Sequence, residues 1–316
     1  MRRHLAAVAL ALASCRTVAP ATQTDAPPKP PPAGTPAPAP AVPVPEPRIA
    51  LVLGGGAARG FAHIGVIRVL EQEHVPVSLV VGTSVGSLIG SIYAANRDSF
   101  DLEWTAFQLQ QEDIFDFRLM NAFVGMGMAR GEKIEAFVRE KVKKENIEQL
   151  VVPFAAVATD LNWGGKVVLD RGSIAKAVHA SSAIPGVFEP VTHMGKLLVD
   201  GGVVDNIPID VAREKGADLV VAVDISENVG NVNIKNLVDV LLQTTNIMFE
   251  VNVSHLRGAA DVLVQPAVGG VGMLDFSKKK ECMQAGMVAA RAAVPRIRAA
   301  VEAWKAKKAG QIQPRS

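Results

Sequence analysis

The stretch Arg48-Ile-Ala-Leu-Val-Leu53, followed by Gly54-Gly55-Gly56-Ala57-Ala58-Arg59-Gly60, decides how the rest of this chain is read. A continuous apolar run closed by glycines reads as a strand buried on both faces. Residues 61–73 then have helical length, with charge only at Arg68, Glu71 and Glu73. Strand, glycine turn and helix in that order make the first unit of an alternating β/α fold. Glycines at such a turn let backbone N–H groups crowd around an anion, and the helix N-terminus adds positive potential. Two ligands suit the loop: a phosphate, or the oxyanion of an acyl-transfer intermediate. The dinucleotide form G-x-G-x-x-G fails when counted from Gly54, because Arg59 takes the sixth position. A P-loop needs a lysine followed by serine or threonine, which this loop lacks. Arg59 is open to two readings, steering of an anionic head group or pairing with a surface carboxylate.

The alternation continues downstream. Residues 78–81 read as a strand that meets Gly82, and residues 85–95 as a helix of small side chains. Further buried strands are expected at 151–158, 196–199, 219–224 and 261–264. Helices are expected at 132–144, 209–215 and 235–256, with two more between 278 and 306 split by Pro295. This pattern predicts an α/β fold, a mainly parallel sheet sandwiched by helices, without an internal repeat.

Composition bounds the function. Of 316 residues 49% are hydrophobic and 20% charged, so disorder cannot describe most of the chain. Net charge is only +2 and Arg2 and Arg3 account for it, which speaks against nucleic acid as a partner. The two cysteines, Cys15 and Cys282, exclude a disulfide framework and an all-cysteine zinc cage. No cofactor or metal is expected.

The N-terminus reads as a targeting segment. Arg2 and Arg3 precede an apolar run from Leu5 to Ala13, far short of the ~20 residues that span a bilayer. Leu12-Ala13-Ser14-Cys15 resembles a bacterial lipobox, after which Cys15 would be acylated. An ordinary signal peptide with a chance cysteine is the alternative. Twelve of the 20 prolines fall between Pro20 and Pro47, making residues 16–47 an extended tether. The expected organisation is a signal peptide (1–14), lipidated Cys15 with its tether (15–47), a catalytic domain (48–310) and a tail (311–316). A lipid anchor places the domain at a bacterial envelope membrane, and Arg16 after the cysteine favours the outer membrane by the lipoprotein pattern.

Two more motifs bear on chemistry. Gly82-Thr83-Ser84-Val85-Gly86 is a G-x-S-x-G pattern between a strand and a helix, where a serine on a sharp turn is exposed for attack. Its bland reading is a serine that caps the helix. Asp200-Gly201-Gly202 follows the expected strand 196–199, at the strand end where open α/β sheets hold functional groups. Its bland reading is an Asp-Gly turn.

Together the three motifs resemble the patatin-like phospholipase family, through residues 51–69, 80–89, 153–161, 177–191, 198–208 and 216–224. The resemblance implies a three-layer α/β/α domain and a serine lipid acyl hydrolase of phospholipase A, lysophospholipase or esterase type. It makes Ser84 the nucleophile, Asp200 its direct partner in a Ser–Asp dyad, and the backbone of Gly55, Gly56 and Ala57 the oxyanion hole. Ala57 departs from the family, where many members carry a further glycine; alanine serves if its φ is negative. The implied partners are a lipid or other ester and a membrane surface; no oligomeric state follows.

Alternatives remain at this point. A conventional Ser–His–acid triad has only His255 after Asp200 in the chain, late in an expected helix. A non-catalytic envelope lipoprotein on the same fold is the other. His63 is expected to pack within the first helix, and His179 and His193 have no evident acid–base partner. Ser181, Ser182 and Pro185 read as a tight turn supporting the site, Asp160 as a turn or supporting residue, and Cys282 as a buried thiol. Residues 114–128, rich in Phe and Met, suit a lid, a lipid-contacting surface or core equally.

Overall fold

The computed structural model describes residues 44–114, 131–226, 230, 234–235 and 237–312. The signal segment, Cys15 and nearly all of the tether lie outside the described residues, as does 115–130 with most of the Phe- and Met-rich stretch.

Strand β1 (Ile49–Leu53) is buried along its whole length within an eight-stranded sheet. The others are β2 (Val77–Thr83), β3 (Phe154–Asp160), β4 (Lys166–Leu169), β5 (Val191–His193), β6 (Lys196–Asp200), β7 (Leu219–Val223) and β8 (Val262–Val264). They lie in the order β5-β6-β3-β2-β1-β7-β8, with β4 also on β3. Strands β1, β2, β3, β7 and β8 are mutually parallel. Strands β4 and β6 run antiparallel to β3, and β5 antiparallel to β6. The sheet is thus mainly parallel, as the alternation predicts. β4 and β5 are short and partly exposed, and so lack the apolar run that marks the central strands.

Helices α1 (Phe61–Gln72), α2 (Val85–Asn96), α3 (Ser99–Gln108), α4 (Gln111–Ile114) and α5 (Glu132–Val142) come from the first half of the domain. Helices α6 (Ile174–Ser181), α7 (Ile209–Glu214), α8 (Leu237–Leu256) and α9 (Lys279–Ile312) complete it. Successive strand residues face opposite layers. Leu51, Leu53 and Val80 pack in one core with residues of α1, α2 and α9. Ala50, Val52 and Val81 pack in a second core with Ile209 and Val211 of α7 and Val253 of α8.

One expectation fails here. The chain does not break at Pro295: α9 is one helix through Ile312. Pro295 is exposed, while Ala290, Ala293, Val294 and Ile297 on either side of it are buried on one face. Packing on that face holds the helix through the missing N–H, and the orphaned carbonyl is on the wet side. Helices α3 and α6 also escape the periodicity. Each is announced by a cap instead: Asp98 Oδ1 accepts from the N–H of Phe100 and Asp101, and Ser173 Oγ from that of Lys176.

Strand β3 positions the site. Between Ala156 and Val157 it pairs with both β2 and β4, and between Ala158 and Thr159 with both β4 and β6. Strand β6 therefore takes the edge that β2 vacates. The two strands run toward each other along that edge and stop at consecutive partners, Thr83 opposite Val157 and Asp200 opposite Ala158. Parallel strand ends are not what brings Ser84 and Asp200 together. They meet because β6 is antiparallel and ends in register.

Candidate active site

Ser84 follows β2 directly and opens α2, at φ 55 and ψ −128. A non-glycine residue rarely adopts this backbone, which stores on the order of 1–3 kcal/mol of strain. The turn is possible because Gly86 crosses so close to β1 that a Cβ there would lie 2.1 Å from the Leu53 carbonyl oxygen. The Ser84 side chain makes no capping bond to α2, so the bland reading of this serine is set aside. Its main-chain N–H is held by Ser181 Oγ at 3.0 Å, and Ser181 in turn donates to the Val157 carbonyl at 2.6 Å. Ser181 ends a helix rather than forming the expected tight turn.

Asp200 is fully buried. Its Oδ1 accepts from the Gly202 N–H at 2.8 Å, and its own N–H donates to the Ala183 carbonyl at 2.9 Å. Oδ2 is buried without a hydrogen-bond partner among the described residues. Burial pushes the carboxyl up to about 7, against the downward pull of the nearby Ser84 hydroxyl and the Gly202 N–H. A base with that pKa is half ionised at neutral pH, unlike the ordinary aspartate at ~3.9.

The glycine loop differs from its expected role at three residues. Gly55 N–H donates to Asn206 Oδ1 at 3.1 Å, and Asn206 Nδ2 returns a bond to the Gly55 carbonyl at 3.3 Å. That amide is occupied, so Gly55 is removed from the oxyanion set. The loop needs glycine there, since a Cβ would sit 2.5 Å from Asn206 Oδ1. The N–H groups of Gly56 and Ala57 have no acceptor among the described residues. Ala57 has φ 50, not the negative value expected; alanine takes this left-handed conformation at about 1–2 kcal/mol, and its N–H stays open all the same among the described residues. Arg59 is neither on the surface nor free to steer an anion. It is fully buried, with Nε on the Gly56 carbonyl at 3.2 Å and a second guanidinium nitrogen on Asn246 Oδ1 at 3.0 Å. Arg59 braces the loop against α8.

His63 braces it from the other side, with Nε2 2.8 Å from the Gly54 carbonyl. A carbonyl only accepts, so Nε2 carries the proton. Burial lowers His63 to about 4 and keeps it neutral. His255 is exposed on α8 and makes no hydrogen bond to the buried Ser84 or Asp200 among the described residues, which speaks against the triad built on it. His179 does have an acidic partner, Glu135 at 3.0 Å. Asp160 holds Lys196 at 2.7 Å and the Asn162 N–H, a turn role. Cys282 is buried, its thiol pushed up to about 11 by desolvation.

Beside Ser84 lies a narrow, mostly apolar cavity of about 50 Å³. Its walls include Ala57, Phe61, Leu88, Ile134, Phe188 and Phe276, and among the described lining residues Ser84 and Ser182 supply the polar side chains. Ile114 reaches it as well. The arrangement offers a hydroxyl on a strained turn, a buried base, two open amides and an apolar chamber. This is the equipment of acyl transfer from a greasy ester.

From sequence, Asn206 has no role, Ser181 falls in a turn and His63 packs in a helix; none is marked as holding Ser84 or the glycine loop. Asn206 and Ser181 lie inside the quoted stretches 198–208 and 177–191, but no local pattern marks a residue whose partner is 151 or 97 positions away.

A model of the patatin-like phospholipase family matches residues 51–213, which include Gly55, Ser84, Ser181, Asp200 and Asn206. An uncharacterized NTE family protein of Mycobacterium tuberculosis is 42% identical over 180 residues, 57% of this chain and 49% of that protein. The lysophospholipase NTE1 of Mycosarcoma maydis is 35% identical over 179 residues, 56% of this chain and 10% of its own length. The chain thus spans about half the length of the first relative and a tenth of the second. The crystal structure of VipD from Legionella pneumophila shares the fold at a TM-score of 0.54 and 16% identity, covering 78% of this chain and 66% of that one. Because the family model spans more than half of the sequence, Ser84 and Asp200 included, the chain belongs to the patatin-like phospholipase family.

Proposed function

We propose that this protein is a serine hydrolase of lipid acyl esters that works through Ser84 and Asp200 without histidine. The observation that carries the reading is the Asp200 carboxyl, sealed from water beside Ser84 with Oδ2 unpartnered among the described residues and its pKa raised to about 7. In the reaction Asp200 takes the Ser84 proton as Oγ attacks the ester carbonyl. The developing oxyanion is met by the amides of Gly56 and Ala57, which have no other acceptor among the described residues. Collapse of the tetrahedral intermediate breaks the bond to the alkoxy oxygen, and Asp200 returns its proton to the departing alcohol. Water then attacks the acyl-enzyme with Asp200 again as base, and the fatty acid leaves. The apolar cavity suits the acyl chain, whose burial contributes ~0.8 kcal/mol per methylene.

The membrane part of the proposal stands on the sequence. Acylation of Cys15 would tether the domain to a bacterial envelope membrane by about 100 Å of proline-rich chain at most. Among the described residues no helix is long and apolar enough to cross a membrane.

The test is hydrolysis of a lysophospholipid, with fluorophosphonate labelling, by wild type and Ser84→Ala. Turnover and labelling that both vanish in Ser84→Ala are expected. Undetectable wild-type turnover and labelling would favour a non-catalytic role for the fold.

A further inference from the structure

Ser182 is the polar wall residue of the Ser84 cavity that the mechanism leaves unused. It is only 9% exposed, and its Oγ has no hydrogen-bond partner among the described residues. Other hydroxyls on these helices bond back to their own backbone: Ser87 to the Ser84 carbonyl, Ser91 to that of Leu88, Thr245 to that of Leu241. Ser182 does not, and a buried hydroxyl left unpaired in an apolar chamber is a cost that calls for a ligand.

Its position is tightly determined. The residue before it, Ser181, holds the N–H of Ser84, and the residue after it, Ala183, accepts the N–H of Asp200. The Ser182 N–H is itself bonded to the carbonyls of Val178 and His179 at 3.0 Å. One tripeptide therefore holds the backbones of both Ser84 and Asp200, and its middle residue lines the cavity beside Ser84.

We infer that the Ser182 hydroxyl donates a hydrogen bond to the bridging, leaving-group oxygen of the ester, which rests on the hydrolase reading above. An ester in this cavity has two oxygens. The carbonyl oxygen is met by the Gly56 and Ala57 amides, and the acyl carbons need no donor. The bridging oxygen is left, and it gains negative charge as its bond to the acyl carbon breaks. Ser182 donates without losing its proton; the proton that ends on the alcohol is the one Asp200 took from Ser84. A donor at this atom matters most when the leaving alcohol is a poor one, such as a glycerol or alkyl alcohol.

The experiment compares p-nitrophenyl and alkyl esters of one fatty acid, using wild type, Ser182→Ala, Ser182→Thr and Ser84→Ala full-length protein. Ser182→Ala should lose about 10- to 100-fold in kcat on the alkyl ester, the value of one hydrogen bond to a charged atom, with a much smaller loss on the p-nitrophenyl ester. Ser182→Thr, which keeps the hydroxyl, should recover part of the alkyl-ester rate. Fluorophosphonate labelling of Ser84 in Ser182→Ala reports an intact dyad. Equal losses on both esters, or none on either, overturn the assignment while leaving the hydrolase reading in place. Wild type without Ser84-dependent turnover of either ester overturns both.

Discussion

Ser181 accepts the main-chain N–H of Ser84 at 3.0 Å and passes the interaction on to the Val157 carbonyl at 2.6 Å. The hydroxyl lies wholly inside the protein and satisfies a buried donor at a residue whose backbone is strained. It ties the end of α6 to the end of β2 and the middle of β3, so the orientation of Ser84 depends on a helix that begins 90 residues later in the chain. In the proposed reaction Ser181 acts through Ser84, as a positioning residue.

Ser181→Ala should therefore leave the Ser84 N–H unpaired, at a cost of about 1–3 kcal/mol in stability. Turnover should fall about 10-fold in kcat with KM nearly unchanged, because the elbow loses orientation and the cavity keeps its walls. Ser181→Thr, which restores the acceptor, should recover activity. Denaturant unfolding together with steady-state kinetics reads both effects, and a raised KM at constant kcat would contradict the assignment.

Ser84→Ala, Asp200→Asn and the double variant should share one residual rate, because groups that cooperate in a single proton transfer lose function non-additively. The wild-type rate should rise with pH through about 7, as Asp200 loses its proton, and then level off. A profile already flat from pH 5 would mean that the base has an ordinary aspartate pKa.

Two buried groups should give opposite pH slopes to stability. Asp200 is raised from 3.8 to about 7, so its contribution is full at low pH and is lost as pH rises through that window. His63 is lowered from 6.5 to about 4, so the unfolded chain binds a proton that the fold refuses, and stability is lost as pH falls through that window. The two offset each other in the wild type between about pH 4 and 6.5. Asp200→Asn should gain stability with rising pH there. At pH 8 it should exceed wild type by a few kcal/mol, since each tenfold change in proton affinity is worth about 1.4 kcal/mol. His63→Gln, which keeps a donor for the Gly54 carbonyl, should show the reverse slope. Urea denaturation at pH 4.5, 6 and 8 separates the three proteins.

Asn206→Ala should free the Gly55 peptide from both of its side-chain bonds. The expected result is a loss of about 10- to 100-fold in kcat as the neighbouring Gly56 and Ala57 amides lose their aim, with a lower melting temperature. Gly55→Ala should reproduce it by forcing Asn206 aside. If Asn206→Ala folds and turns over normally, the clamp is irrelevant to catalysis.

The amino-acid sequence by itself determined the buried strands β1, β2 and β7, the glycine loop, the serine elbow and the Asp-Gly turn, because each is a local pattern. Continuous apolar runs report burial on both faces, and glycines report places where backbones cross closely. The tertiary structure alone decided which of these residues touch. It set β6 antiparallel to β3 and ended it opposite Ala158, beside the end of β2. It gave the Gly55 amide to Asn206, buried Arg59 under the loop, put Ala57 at positive φ, and brought Ser181 against Ser84 and Ala183 against Asp200. The physical reason is that a hydrogen bond is specified by register and packing between distant segments. Side chains such as Asn206 and Ser181 look the same in sequence whether they face water, cap a helix or hold a nucleophile in place.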